Sequence, residues 1–306
     1  MSKVVRAKTA GFCMGVILAL RKLDALVEDG ADGGRICTLG PIIHNPQVLA
    51  EYAARGVVTA DSPADIPPGA TVVIRAHGVP KNILEALKER GVEIVDATCP
   101  KVKKAQLLIA TEAREGRMLL LFGEEAHAEV KGLLSYAEAG AFVFDSRAKL
   151  DAFPLDKGKR YCLAAQTTQD RDSFDAIARK LESSPTYDVK VLRTICDATR
   201  ERQDETVRIA GDVDFMIVVG GFDSGNTRRL VQVASGHHKR CLHVESARDL
   251  PREELSRVPK IGLTAGASTP KSLIDEIHRL LESGEESPGC RTPADSLDLS
   301  DRKAAG

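Results

Sequence analysis

Residues 92–99 read VEIVDATC, a strand-like run that delivers a cysteine to Pro100 and a helical pattern. Two other stretches share this plan: KVVRAKTAGFC at 3–13 and VKVLRTIC at 189–196. Cys13, Cys99 and Cys196 therefore head successive thirds of the 306-residue chain. Their spacing of roughly 90 residues is far longer than a solenoid unit. Length alone predicts two or three domains, and a repeat of this size predicts three small domains of one kind.

Further strand-like runs occur at 72–74, 118–122, 161–165, 215–219 and 260–264. Amphipathic helical faces follow some of them, such as Phe174, Ile177, Ala178 and Leu181, or Leu273, Ile274, Ile277, Leu280 and Leu281. Strands alternating with helices indicate α/β domains with parallel sheets.

Two polar loops follow each cysteine. GPIIHN carries His44 and RAHGVP carries His77; GEEAHAE carries His127 and Glu129, and AAQTTQ carries Thr167; GGFDSGN carries Ser224, Gly225 and Asn226, and TAGASTP carries Ser268. The first loop follows its cysteine by roughly 30 residues and the second by roughly 70, so the repeat extends through the loops. Polar residues at strand ends are ordinary in α/β proteins, but matched offsets behind a cysteine are not. Parallel sheets bind ligands at the carboxyl ends of their strands, and helix N-termini suit anions. A pseudo-threefold arrangement would bring three thiolates together beside an anion site.

Charge excludes some functions. Lys and Arg number 43 against 44 Asp and Glu, a net charge of −1, so nucleic acid is disfavoured as a partner. No apolar run approaches the length of a membrane span. MSKVVRAKTAGFC lacks the apolar core of a signal peptide, so a cytoplasmic location is expected. Seven cysteines in a reducing compartment, none at CxxC spacing, argue against disulfides and zinc ribbons. Three thiolates without a fixed fourth ligand suit either a [4Fe–4S] cluster with one open iron or an open zinc site; a third reading is no metal, with the cysteines merely buried, and the residues alone do not choose.

The strings GFCMGV, IIHN, RAHGV, DATCP, HAEV, QTT, IC-x-AT-x-x-RQ, SGN and TAGAS, spread from residue 11 to about residue 269, resemble the LytB (IspH) family of 4-hydroxy-3-methylbut-2-enyl diphosphate reductases. The resemblance implies an α/β fold of three similar domains in a trefoil around a [4Fe–4S] cluster held by Cys13, Cys99 and Cys196. It implies a diphosphate pocket of His44, His77, His127, Ser224, Asn226 and Ser268, with the Gly225 N–H, and Glu129 as proton donor assisted by Thr167. It also implies ferredoxin or flavodoxin as the electron donor. The expected domains are 14–98, 99–193, and 194–284 joined by segment 1–13, with 285–306 a disordered tail.

Three positions depart from the family pattern. Glu124 and Ala128 stand where histidine and proline are usual, and Gly225 replaces a serine. A lost hydroxyl donor would cost roughly 1.5–3 kcal/mol of binding unless Thr227 or a backbone N–H replaces it. Glu124 and Glu125 would raise the Glu129 pKa if they lay close, but surface exposure is the favoured reading of both. Cys37, Cys162 and Cys241 read as core residues, and Cys290 as idle. His237, His238 and His243 read as a helix end and its surroundings rather than as metal ligands. A non-catalytic iron–sulfur redox sensor and a quinolinate-synthase-like [4Fe–4S] enzyme are the competing readings. The sensor has no need for Glu129, Thr167 and the anion-binding side chains, and the quinolinate synthase family lacks the HAE loop and the TAGAS string.

Overall fold

The computed structural model describes residues 2–30, 35–237 and 240–283; the expected tail, Cys290 and His238 lie outside the described residues. The chain opens with strand β1 (Lys3–Arg6) and helix α1 (Met14–Glu28). Then follow β2 (Ile36–Leu39), α2 (Pro46–Ala54), β3 (Val58–Ala60), β4 (Thr71–Ile74), α3 (Lys81–Glu89) and β5 (Glu93–Asp96). Next come α4 (Pro100–Arg114), β6 (Met118–Phe122), α5 (Ala128–Leu134), β7 (Ala141–Phe144), α6 (Arg147–Asp151), β8 (Arg160–Ala165), α7 (Arg171–Glu182) and β9 (Asp188–Val191). The last group is α8 (Asp197–Ala210), β10 (Phe215–Val219), α9 (Gly225–His237), β11 (Cys241–Val244), α10 (Arg252–Leu255), β12 (Lys260–Ala265) and α11 (Lys271–Ser283).

Three four-stranded sheets result, ordered β3-β2-β4-β5, β7-β6-β8-β9 and β11-β10-β12-β1. Every strand pair is parallel. The α/β class with three parallel sheets is thus the one expected. The three orders are one pattern, provided that β1 takes the place that β5 and β9 hold in the other sheets. Its register, Lys3 opposite Lys260 through Arg6 opposite Leu263, makes the first strand of the chain the closing strand of the last sheet.

The described chain forms two compact units. One comprises the described residues of Met1–Asp24, Ile43–Val57 and Asp197–Gly306 and contains the sheet closed by β1; the other comprises Ala25–Ile42 and Val58–Cys196 and contains the remaining two sheets.

Both faces of each central strand are covered, which is why the strands read as continuous apolar runs. In the first unit, Phe215, Ile217 and Val219 of β10 and Ile261 and Leu263 of β12 pack against Leu273, Ile274 and Ile277 of α11. The alternate residues Met216 and Val218 turn to Leu230 and Ala234 of α9 and Ile209 of α8. In the second unit, Leu120 and Phe122 of β6 and Leu163 of β8 meet Phe174, Ile177 and Leu181 of α7. Leu119 and Leu121 face Ala105 and Ile109 of α4 and Val130 of α5. Truncating one of these buried leucines to alanine would cost about 2–5 kcal/mol.

Cys37 and Cys162 are buried within these strands, and Cys241 is half-buried in β11. Burial raises all three thiol pKa values, that of Cys162 to about 12. They are core thiols, as expected.

Candidate active site

Each sheet reverses its strand order between two central strands: β2 and β4, β6 and β8, β10 and β12. Such a reversal leaves a crevice at the carboxyl ends of the two strands. The six polar loops are the segments leaving these six strands. Where each pair of strands ends, a glycine lets the two segments approach. A side chain at Gly40 would meet the Arg75 guanidinium, one at Gly123 would meet Val130 and Gln166, and one at Gly220 would meet Thr269 and Thr227.

Each of the three cysteines stands immediately before a helix. Cys99 is the N-cap of α4, the Cys13 carbonyl accepts the Ile17 N–H of α1 at 3.0 Å, and Cys196 directly precedes α8. Each cysteine N–H donates to a carbonyl of the second polar loop of its own sheet. Cys13 bonds Ala267 at 3.2 Å, Cys99 bonds Ala76 at 2.9 Å, and Cys196 bonds Thr167 at 3.0 Å. One hydrogen bond, repeated three times, therefore sets each cysteine beside the loop that bears Ser268, His77 or Thr167. All three thiols are half-buried and outside any disulfide.

In the second unit these contacts join into one continuous line. The Thr167 carbonyl accepts the Cys196 N–H; the Thr167 N–H donates to Glu129 Oε1 at 2.6 Å, and its hydroxyl donates to Oε2 at 2.8 Å. The Glu129 N–H donates to His127 Nδ1 at 3.1 Å, where His127 caps α5. This leaves Nε2 to carry the ring proton of a neutral His127. The His127 ring packs edge-on against His77, 5.4 Å between centroids, and Ala76 next to His77 accepts the Cys99 N–H. Cys196, Thr167, Glu129, His127, His77 and Cys99 are thus connected contact by contact.

Glu129 is 1% exposed. Burial raises its pKa to about 7, against the opposing pull of the two Thr167 hydrogen bonds. Glu124 and Glu125 have no part in that shift. Glu125 is exposed and pairs with Lys149, and the Glu124 N–H donates to Gln166 Oε1 at 3.1 Å. The carboxyl can hold a proton at neutral pH and release it, as a general acid requires.

In the first unit, Ser224 caps α9 by accepting the Thr227 N–H at 3.3 Å. The Ser268 hydroxyl lies 3.4 Å from that of Ser224 and donates to the His44 carbonyl at 3.2 Å. Asn45, next to His44, caps α2 through the Val48 N–H. Ser224, Ser268 and His44 are therefore brought together at one end of this unit, with Gly225 and Asn226 in the first turn of α9. The buried Asn226 Nδ2 has no hydrogen-bond partner among the described residues. An orphaned amide donor at a helix N-terminus is a fitting for an anion. The buried Thr227 Oγ1 likewise has no hydrogen-bond partner among the described residues, and it lies close to Gly220 and Gly266, where an added Cβ would meet it.

Arg202 of α8, the arginine of the IC-x-AT-x-x-RQ string, acts together with Glu205 just beyond it. Arg202 donates to the carbonyls of Thr9 at 3.0 Å, Gly11 at 2.8 Å and Ala198 at 3.3 Å. Glu205 accepts the Thr9 N–H and hydroxyl, each at 2.8 Å. The two side chains fasten the segment that ends in Cys13. The RQ motif points to Arg202 without giving its role, and Glu205 does not stand out in a segment this rich in charge.

The sequence profile described as LytB protein matches residues 4–282. A protein from Solidesulfovibrio magneticus named 4-hydroxy-3-methylbut-2-enyl diphosphate reductase is 56% identical over 284 residues, covering 92% of this chain and 99% of its own. A protein of the same name from Nitratidesulfovibrio vulgaris is 57% identical over 281 residues, with the same coverage. Among solved structures, the E-1-hydroxy-2-methyl-but-2-enyl-4-diphosphate reductase of Plasmodium falciparum superposes with a TM-score of 0.86 at 25% identity, covering 99% of both chains. A second structure, titled as (E)-4-hydroxy-3-methyl-but-2-enyl diphosphate reductase, the terminal enzyme of the non-mevalonate pathway, matches with a TM-score of 0.66 at 36% identity, covering 92% of this chain and 99% of that one. With a profile match across nearly all described residues and relatives above half identity, the chain belongs to the LytB family of 4-hydroxy-3-methylbut-2-enyl diphosphate reductases.

Proposed function

We propose that the chain reductively removes the allylic hydroxyl of 4-hydroxy-3-methylbut-2-enyl diphosphate, yielding isopentenyl diphosphate and dimethylallyl diphosphate. This is the last step of the non-mevalonate isoprenoid route. Two electrons and two protons replace the carbon–oxygen bond by a carbon–hydrogen bond and release the oxygen as water. The observation that carries the reading is the line of contacts from Cys196 through Thr167, Glu129, His127 and His77 to Cys99, with a carboxyl poised near pKa 7 at its middle.

Cys13, Cys99 and Cys196 would hold a [4Fe–4S] cluster. The donor set fits: these are the helix-heading, half-buried thiols, whereas burial raises the pKa of Cys37, Cys162 and Cys241. Bound there, the cluster would supply one-electron transfer and a Lewis-acidic iron without a protein ligand.

The protein's own groups do the rest. His44, His77, His127, Ser224, Asn226, Ser268 and the Gly225 N–H hold the diphosphate through hydrogen bonds from imidazoles, hydroxyls, an amide and a helix end. Glu129 delivers the proton that turns the poor hydroxyl leaving group into water. Thr167 fixes both carboxyl oxygens and thereby the direction of transfer. A redox sensor would have no use for a buried carboxyl held in this way.

Electrons arrive singly from a ferredoxin or flavodoxin, and the chain acts in the cytoplasm. No helix among the described residues is long and apolar enough to cross a membrane. The test is anaerobic turnover of the reconstituted chain with the allylic diphosphate and a one-electron donor, with both five-carbon diphosphates identified as products. A cluster-loaded chain that leaves the substrate untouched would refute the assignment.

A further inference from the structure

Six residues leave the paired central strands of the three sheets: Gly40 and Arg75, Gly123 and Gln166, Gly220 and Gly266. Only one is charged. Arg75 follows β4 directly and begins the turn that presents His77, its carbonyl accepting the Gly78 N–H at 2.9 Å. Its guanidinium lies over Gly40, where an added Cβ would come within 2.5 Å of it. Gly40 has φ +69°, a backbone conformation that favours glycine, and its missing side chain leaves the space that the guanidinium fills.

Gln166, the counterpart in the next sheet, is satisfied within the fold: its Oε1 accepts the Glu124 N–H and its Nε2 donates to Thr168. Arg75 is not. Its buried Nε has no hydrogen-bond partner, and no carboxylate pairs with its guanidinium among the described residues. Burial, with no compensating anion, lowers its pKa. A part-buried cation without a counter-charge is destabilising, and a bound anion would relieve that cost.

We propose that Arg75 is an anion-recognition residue of this chain, supplying fixed positive charge from the crevice between β2 and β4 to the diphosphate end of the substrate. The inference rests on the diphosphate reading above. It also answers a shortage in that reading. The other proposed diphosphate contacts are imidazoles, hydroxyls, an amide and a backbone N–H, none of them a fixed cation, whereas the ligand carries several negative charges. Arginine keeps its charge at any working pH.

The test titrates inorganic pyrophosphate into the anaerobic, cluster-loaded chain at two ionic strengths, for the wild type, Arg75→Met, Arg75→Gln and Arg75→Lys. Iron content and thermal midpoint are measured alongside. Removing the charge should weaken pyrophosphate binding by roughly 10- to 100-fold and flatten its dependence on salt, with iron content unchanged. Arg75→Lys should recover most of the affinity and the salt dependence. If Arg75→Met loses iron, Arg75→Gln carries the comparison. Wild-type affinity and salt dependence in whichever neutral variant keeps its iron would overturn the proposal and leave Arg75 as packing over Gly40. A wild type that neither binds pyrophosphate nor turns over the allylic diphosphate would overturn the diphosphate reading as well. A wild type that turns over normally beside an unaffected neutral variant would overturn only the role of Arg75.

Discussion

Thr167 holds both carboxyl oxygens of Glu129, with its N–H on Oε1 at 2.6 Å and its hydroxyl on Oε2 at 2.8 Å. Both bonds favour the charged carboxylate, yet burial outweighs them and the pKa rises to about 7. Glu129 is therefore protonated below about pH 7 and loses its proton as pH rises through that value. The rate kcat should show a basic limb with an apparent pKa near 7. Thr167→Val removes one bond to the carboxylate and should move the limb to higher pH. A pH–rate profile of both proteins checks this; a limb that stays in place would show that another group titrates.

The same shift has a consequence for stability. In the unfolded chain Glu129 ionises near its ordinary value of 4.5, and in the folded chain only near 7. Between these values the folded state binds the extra proton, so this group's contribution to stability falls as pH rises. The sign is opposite to that of a salt-bridged carboxylate. Glu129→Gln should remove this fall, and denaturant unfolding at pH 5 and pH 8 would measure the change in slope.

Arg202 is 3% exposed and holds the carbonyls of Thr9 and Gly11. Arg202→Met leaves these carbonyls without their donor, at a cost of about 3 kcal/mol or more. Because the segment ends at Cys13, iron should also be lost faster to a chelator in this variant than in the wild type. Arg202→Lys should fall between them. Equal chelation rates in all three proteins would separate the clamp from the metal site.

Gly266 and Thr227 share one space. A Cβ at Gly266 would lie 2.0 Å from Thr227 Oγ1. Gly266→Ala should destabilise the chain by about 1–3 kcal/mol through overpacking. Thr227→Ala, which removes the opposing hydroxyl, should restore part of that loss. A double-mutant cycle on thermal unfolding measures the coupling; additive effects would contradict the contact.

Replacing Cys13, Cys99 or Cys196 by serine should each abolish a full complement of iron and sulfide. Serine at Cys37, Cys162 or Cys241 should leave the complement intact and lower the thermal midpoint, because those thiols pack in strands. Iron and sulfide analysis after anaerobic purification distinguishes the two groups.

The strands were legible because buried parallel strands are continuous apolar runs, and Met118–Phe122 and Phe215–Val219 are found with those same limits. The cysteine-led repeat marked the site because one hydrogen-bond pattern recurs behind each cysteine. Other features depended on packing that spacing does not encode. That Thr227 Oγ1 is buried against Gly220 and Gly266 without a hydrogen-bond partner among the described residues is such a feature. Glu125 is exposed, as a surface carboxylate is expected to be, and burial rather than the Glu124 and Glu125 charges sets the Glu129 pKa. Gly40, Gly123 and Gly220 stood at the head of the first loops in plain sight. Their part in strand-end packing appears only once the neighbouring strand is in place.

The central claim is that Glu129 hands over the proton that lets the hydroxyl leave. Its most direct test compares anaerobic turnover of the allylic diphosphate by the wild type and by Glu129→Gln, with iron content and substrate affinity measured on the same samples. The account predicts a fall in kcat of about 10²–10⁴, with iron content unchanged and substrate affinity altered far less. Turnover at the wild-type rate by Glu129→Gln would contradict it.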